Sequence, residues 1–296
     1  MTIERFFEYA KKRYKLMLDK EADFERPWTD DPILQQYRFC NVFREDDKVT
    51  KWIRSNITHE GYGDKLVGAM VIARWFNRIE TLEHLLPLPH HPGEENLFYS
   101  WSQDFEKWLA DMKARLSHLS PLVTGAYMIK TPAKMNKLEG ILWCLDHFLP
   151  DAVELYYSIV AEPEATLQHT TEHLATYPYL GPFMAYEVVT DLRHSILQDA
   201  PDIMTWANPG PGCARGLDRV LEQPLGTFNR HRPAHVSEMM THMQRLLKAS
   251  GKAKYWPQHW PRWEMRDVEH TLCELDKYER ARLGEGKPKQ KYKPAA

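Results

Sequence analysis

Apolar residues recur along most of this chain at spacings of three and four, as expected of helices that bury one face. Ile3, Phe6, Phe7, Tyr14 and Met17 predict a first helix, with Thr2 as its N-cap. Leu66, Ala69, Met70, Ala73 and Phe76 predict another, and Phe98, Trp101, Phe105, Trp108, Leu109 and Met112 a third. The same period continues through 138–148, 153–160, 184–197, 236–247 and 268–283. No alternating run of Val, Ile and Thr bounded by turns is found, so strands are not expected. The fold class is therefore all-α. Breakers separate the segments: a stiff, Pro-rich loop at 87–93 and a tight one at 208–212. One helical domain over 1–283 is expected, or two lobes near 1–120 and 121–283. The Lys- and Pro-rich stretch 284–296 reads as a flexible basic tail, able to touch phosphates or simply to solubilise.

Composition supports a packed interior. Hydrophobic residues make up 43% and aromatics 12% of the 296 residues, with 10 Trp and 14 Tyr, which argues against disorder over most of the chain. No apolar run approaches the roughly 18 residues of a membrane span, and the first residues are charged rather than signal-like. No membrane partner is expected, and the expected location is the cytoplasm (a host cytoplasm for a phage-encoded chain). The cysteines Cys40, Cys144, Cys213 and Cys273 lie far apart without a C-x-x-C pair, which disfavours a zinc ribbon or a disulfide framework. A net charge of −2 rules out a polycation but not a local basic groove.

Four constellations could carry chemistry. In 38–48, a helix would place Asn41, Arg44 and Lys48 on one side with Asp47 near Arg44; forked groups of this kind read a base edge or grip a phosphate. An ordinary ladder of surface ion pairs has the same spacing. In 176–187, Gly181-Pro182 opens a helix after an apolar turn, a helix–hairpin–helix outline whose free amides suit a DNA phosphate. Asp191 follows along that helix. A purely structural turn is the plain alternative. In 206–217, Gly210 and Gly212 would let backbone amides approach an anion, with Arg215 in the first turn of the next helix. On the last helix, Asp267, His270, Glu274 and Lys277 share a face, as either proton-transfer groups or a solvated stripe of ion pairs. His169 and His173 have metal-ligand spacing but lack a Glu in the register of H-E-x-x-H. The sequence requires no cofactor, and it contains no G-x-x-x-x-G-K-[ST] phosphate loop.

Taken in order, these segments resemble the phage thymine-hypermodification group, the α-glutamyl/putrescinyl thymine pyrophosphorylases or amino acid:DNA transferases. They also look like the helical domain of 5-hydroxymethyluracil DNA kinases, which is distantly similar to helix–hairpin–helix DNA glycosylases. The resemblance rests on Asn41 to Glu45 with Asp47, 125–129 followed by Lys137, 180–183 to 191–192, 210–212 to 216–217, and 267–270 to 277–278. Tyr179 stands where glycosylase hairpins usually carry a first glycine. The resemblance implies displacement of pyrophosphate from 5-(pyrophosphoryloxymethyl)uracil in DNA by an amino acid or other amine. The missing phosphate loop points to this transfer step rather than to the kinase. On that reading Tyr127 and Phe43 hold an extruded base, and Asn41 and Gly181 contact DNA. Arg44, Lys137, Arg215 and the amides at Gly210 and Gly212 meet the leaving group, with Mg2+ compatible. Asp191, His270, Glu274 or Asp47 is the base, and Lys277 clamps the amino-acid carboxylate. A glycosylase-like hydrolase and a non-catalytic DNA-binding module are the competing expectations.

Overall fold

The structure is a computed structural model that describes residues 3–58, 61–87, 95–125 and 128–292. Thr2, Tyr127, most of the Pro-rich loop and the last four residues of the tail lie outside the described residues. Among the described residues the architecture is all-helical, as the periodicity predicts, with one isolated bridge and no extended sheet. Among the described residues no helix is long and apolar enough to cross a membrane.

Thirteen helices follow in order: α1 (Ile3–Glu21), α2 (Pro32–Gln36), α3 (Lys48–Ile53), α4 (Leu66–Phe76), α5 (Ile79–Glu83), α6 (Phe105–Leu116) and α7 (Lys137–Asp146), then α8 (Ala152–Ala161), α9 (Leu167–Leu174), α10 (Gly181–Leu192), α11 (Pro211–Val220), α12 (Pro233–Ser250) and α13 (Met265–Leu283). The chain forms two compact units, 1–47 with 203–296, and 48–202. The division is therefore not near residue 120: the first helices pack with the last.

In the 48–202 unit, α4 is buried on every side, so it is a core helix rather than an amphipathic surface one. It packs against α8 and α10. Fixed side-chain caps start the neighbouring helices. Asp104 caps α6, the Asn136–Glu139 capping box opens α7, and Thr166 caps α9. Asp202 adds to the last cap, accepting from the amides of Leu167 and Gln168 at 2.8 and 2.9 Å. Helices α9 and α10 are joined by a short turn in which Tyr179 and Gly181 both have positive φ (62° and 57°) around buried Leu180.

In the other unit, α1 buries Phe6, Phe7, Tyr14 and Met17 of the five residues its spacing predicts, while Ile3 at its start is half-buried. Their partners are an aromatic cluster of Phe43, Trp256 and Trp263. Helix α11 lies close along α13 because two glycines face it. A Cβ on Gly212 would meet Cys273 Sγ at 2.4 Å, and one on Gly216 would meet the Leu272 carbonyl oxygen at 2.2 Å. The stretch expected to be a free tail is docked as far as Tyr292. Its backbone pairs with the chain leaving α2: Arg38 N donates to Gln290 O at 3.0 Å and Tyr292 N to Gln36 O at 3.1 Å. The Tyr292 ring sits against Trp28 and the cations of Lys20, Arg26 and Arg38. An extended segment with unpaired backbone groups takes up the chain that passes beside it.

Candidate functional site

Helix α13 carries the polar centre of the 1–47/203–296 unit. Its row Asp267, His270, Glu274 and Lys277 forms as expected, but the row is not a solvated stripe: Asp267 and Glu274 are buried. Glu274 accepts from Cys40 N at 2.9 Å and from Lys277 Nζ at 2.5 Å. Burial opposes charge on Glu274, yet Lys277, His270 and these two hydrogen bonds outweigh it and hold the carboxyl below its ordinary value. Burial likewise opposes charge on Lys277, and Glu274 overcomes it, so the ammonium stays charged above its usual range. The Lys277 side chain is 31% exposed, which keeps this charge within reach of a ligand.

The segment 38–47 faces this row. It is not the continuous helix that would align Asn41, Arg44 and Lys48. Backbone around Tyr37 and Phe43 is extended, Arg44–Asp46 makes one 3-10 turn, and Lys48 begins α3. Phe39, Val42 and Phe43 are buried, and packing them favours an extended course over a helix. Arg13 of α1 fixes it, donating from Nη2 to Phe39 O at 2.8 Å and to Asn41 Oδ1 at 2.6 Å. Asn41 Nδ2 in turn donates to Asp46 O at 2.7 Å. The Asn41 amide thus holds the loop, and both its ends are occupied. Arg44 and Asp47, with Glu274 and Lys277, lie within electrostatic reach of Cys40. Arg44 is buried. This unit therefore brings together Asn41, Arg44, Asp47, His270, Glu274 and Lys277. Tyr9 of α1 joins them: its hydroxyl is buried beside Glu274 without a hydrogen-bond partner, and burial first, then Glu274, raise its pKa well above the usual value. Tyr9 lies outside the apolar positions that predicted the first helix, and no sequence motif singled it out.

Other expected residues lie elsewhere. Phe43 is core, edge-on to Tyr14 and Trp256, and not available to hold a base. The loop before α11 does not offer two free amides. Gly210 N donates to the carboxylate of Glu269 at 3.2 Å, and Gly212 lies inside α11 against Cys273. A helix N-terminus attracts an anion, and here the chain supplies its own. Arg215 binds the fully buried Asp276 at 2.9 Å, beside Arg219 at 3.0 Å and Arg280 at 3.3 Å. Asp276 is two residues beyond Glu274, hence on another face of α13.

In the 48–202 unit, Asp191 is not an accessible base. It is 1% exposed, and Arg74 grips both its oxygens at 2.5 and 2.7 Å while bonding Asn77 at 2.8 Å and Thr50 at 2.9 Å. Lys137 is exposed at the start of α7 and donates to Ile129 O at 2.9 Å and Thr131 Oγ1 at 3.2 Å. Gly181 begins α10 with open space around it. Tyr179 and Phe183 flank it, both exposed. His169 faces Glu162 at 3.6 Å and His173 stacks on Tyr177. Among the described residues no group of His, Cys, Asp and Glu is arranged to hold a metal ion.

Comparison with known proteins places this geometry. A family described as "5-hmdU DNA kinase, helical domain" matches residues 1–288. A 5-hmdU DNA kinase of Bacillus phage SP10 is 27% identical over 272 residues, 86% of this chain and 41% of that protein. The chain thus spans less than half the length of that relative. No solved structure matches. With the family pattern running across both units, this chain belongs to the 5-hmdU DNA kinase helical-domain family.

Proposed function

We propose that the chain modifies a pyrimidine in DNA, as an amino acid:DNA transferase of thymine hypermodification. In this reading the nitrogen of an amino acid or other amine attacks the exocyclic methylene of 5-(pyrophosphoryloxymethyl)uracil. A C–N bond forms, the C–O bond to pyrophosphate breaks with its electron pair leaving on oxygen, and the nitrogen gives a proton to a base. Membership of a family named for a DNA kinase of the same base supports the substrate class. The observation that carries the reading is the Glu274–Lys277 pair beside His270, packed against 38–47. Lys277 holds positive charge where an anionic leaving group or a carboxylate would sit. His270, next to a carboxylate kept ionised, is the group best suited to accept the nitrogen's proton. Glu274 orients and charges its neighbours. A base inside a duplex is unreachable, so it must be extruded. We assign the turn between α9 and α10, with Gly181 at its apex, to the DNA backbone, as in a helix–hairpin–helix.

The test is direct. DNA carrying the pyrophosphorylated base is incubated with the protein and each amino acid, digested, and its nucleosides weighed. A mass gain with stoichiometric pyrophosphate supports transfer. Release of free base would instead make the protein a hydrolase. Unchanged DNA that still binds would favour a second reading, a DNA-binding module. That reading draws on the chain covering only 41% of its kinase relative.

A further inference from the structure

Between Glu238 and Glu264 the chain carries five Lys or Arg and no Asp or Glu, in a protein of net charge −2. Arg245, Lys248, Lys252, Lys254 and Arg262 are all exposed. Apart from Lys254, which lies over the Tyr255 ring, none has an ion-pair partner among the described residues. On α11 and α13, by contrast, Arg215, Arg219 and Arg280 surround Asp276, and Arg282 binds Glu279. Exposed cations without an ion-pair partner also occur at Arg230, Arg232, Lys287 and Lys289, but only 239–263 sets five of them in an acid-free run beside tryptophans.

The same segment interleaves aromatics with the cations. Trp256, Trp260 and Trp263 line a pocket of about 620 Å3, together with Lys248, Arg262 and Gln258. That volume lies within the roughly 300–1,000 Å3 of ordinary small-ligand sites. Trp256 packs on Trp260 and Trp263 at 4.8 and 5.1 Å between ring centres, so the walls are rigid. Trp256 and Trp263 are buried and back the half-buried Trp260, whose ring gives a sequence-tolerant surface for stacking a base; free cations beside it suit the flanking phosphates. None of this belongs to the cluster around Glu274.

We propose that this pocket takes an unstacked base of single-stranded DNA, with Lys248 and Arg262 on the adjoining phosphates. The choice of DNA over RNA rests on the DNA-modifying reading above; the stacking site itself does not. Titration of the full-length protein with oligo(dT), followed by tryptophan quenching at several salt concentrations, tests it. Quenching is expected, with affinity falling as salt rises. For single strands the slope of log K against log salt is roughly 0.7 per phosphate contact, so K248Q/R262Q should lower it by about 1.4. Both side chains are exposed and unpaired, so folding is unaffected. Trp260→Leu should weaken binding by roughly 5- to 150-fold, the span of one lost stacking contact. No quenching, an unchanged slope in K248Q/R262Q, or equal quenching by polyphosphate would overturn the proposal. Tighter binding of oligo(U) would overturn the assignment to DNA. Loss of oligo(dT) binding with transfer intact would sink this pocket alone, and binding without transfer would sink only the transfer chemistry.

Discussion

Each unit buries a carboxylate against a cation, and the two pairs are built differently. Asp191 meets Arg74 with both partners shut away from solvent, 0% exposed for the Arg74 side chain and 2% for Asp191. Its oxygens are both taken, and Thr50 and Asn77 occupy further guanidinium donors. Glu274 is also buried, but its partner Lys277 reaches solvent, His270 lies beside it, and the Tyr9 hydroxyl next to it has no partner. A closed pair of the first kind holds a core together. An open one of the second kind has charge and hydrogen-bonding capacity left for a ligand. Burial of a charged residue therefore does not mark a site; an incomplete set of partners does.

The sharpest way to break this comparison is to open the closed pair. Arg74→Met leaves Asp191 buried and unpaired, which should destabilise the 48–202 unit by about 3–5 kcal/mol. Urea unfolding followed by circular dichroism measures it, and a change below 1 kcal/mol would show that the pair is not structural. A smaller effect is expected where α13 is held in place. Gly216→Ala pushes a methyl against the backbone carbonyl of Leu272, which cannot rotate away, and should cost about 1–3 kcal/mol. Gly212→Ala meets the Cys273 side chain, which can move, and should cost less. Equal costs would mean that α11 does not pin α13 as closely as these distances require.

The smallest effect is a slope. Asp267, on the same helix, accepts from Glu264 N at 2.8 Å, and its other oxygen is buried without a hydrogen bond. Burial raises its pKa from 3.8 to about 8; Arg266 and the hydrogen bond from Glu264 N oppose the rise, and the charges of Glu45 and Glu264 reinforce it. The folded state thus binds a proton that the unfolded state releases, so this group's contribution is present at pH below 4 and lost as pH climbs towards 8. Stability measured across that window should fall less steeply in Asp267→Asn, which mimics the protonated acid. An identical slope in both proteins would remove Asp267 as its source.

Much of the helical framework was legible in the residues, and the reasons for the misses are physical. Residues 66–76 form a helix across the apolar positions that predicted it, in a run whose one charged residue is Arg74. The row on α13 was legible because spacing alone sets a helix face. The 38–48 segment was not: Phe39, Val42 and Phe43 have helical spacing, yet tertiary packing buries all three on an irregular, largely extended course. Gly210 and Gly212 were read as an anion cradle. The spacing of Gly212 and Gly216, four apart on one face, was the better signal, for close helix packing. Asp191 was a candidate because it follows the Gly181-Pro182 turn along the same helix. Its partner Arg74 stands 117 residues away, a pairing no local pattern reveals. The acid-free run of 239–263 was visible in the sequence but only becomes a surface once the tryptophans form a pocket.

The account turns on the open pair being the place of chemistry. Single-turnover pyrophosphate release from DNA carrying the pyrophosphorylated base, with saturating amine, measures this for His270→Asn against the unaltered protein. The expected result is a rate lower by at least about 100-fold, the usual contribution of a general base, with the thermal midpoint unchanged. An unaltered rate in a normally folded His270→Asn protein would contradict it and place the reaction elsewhere.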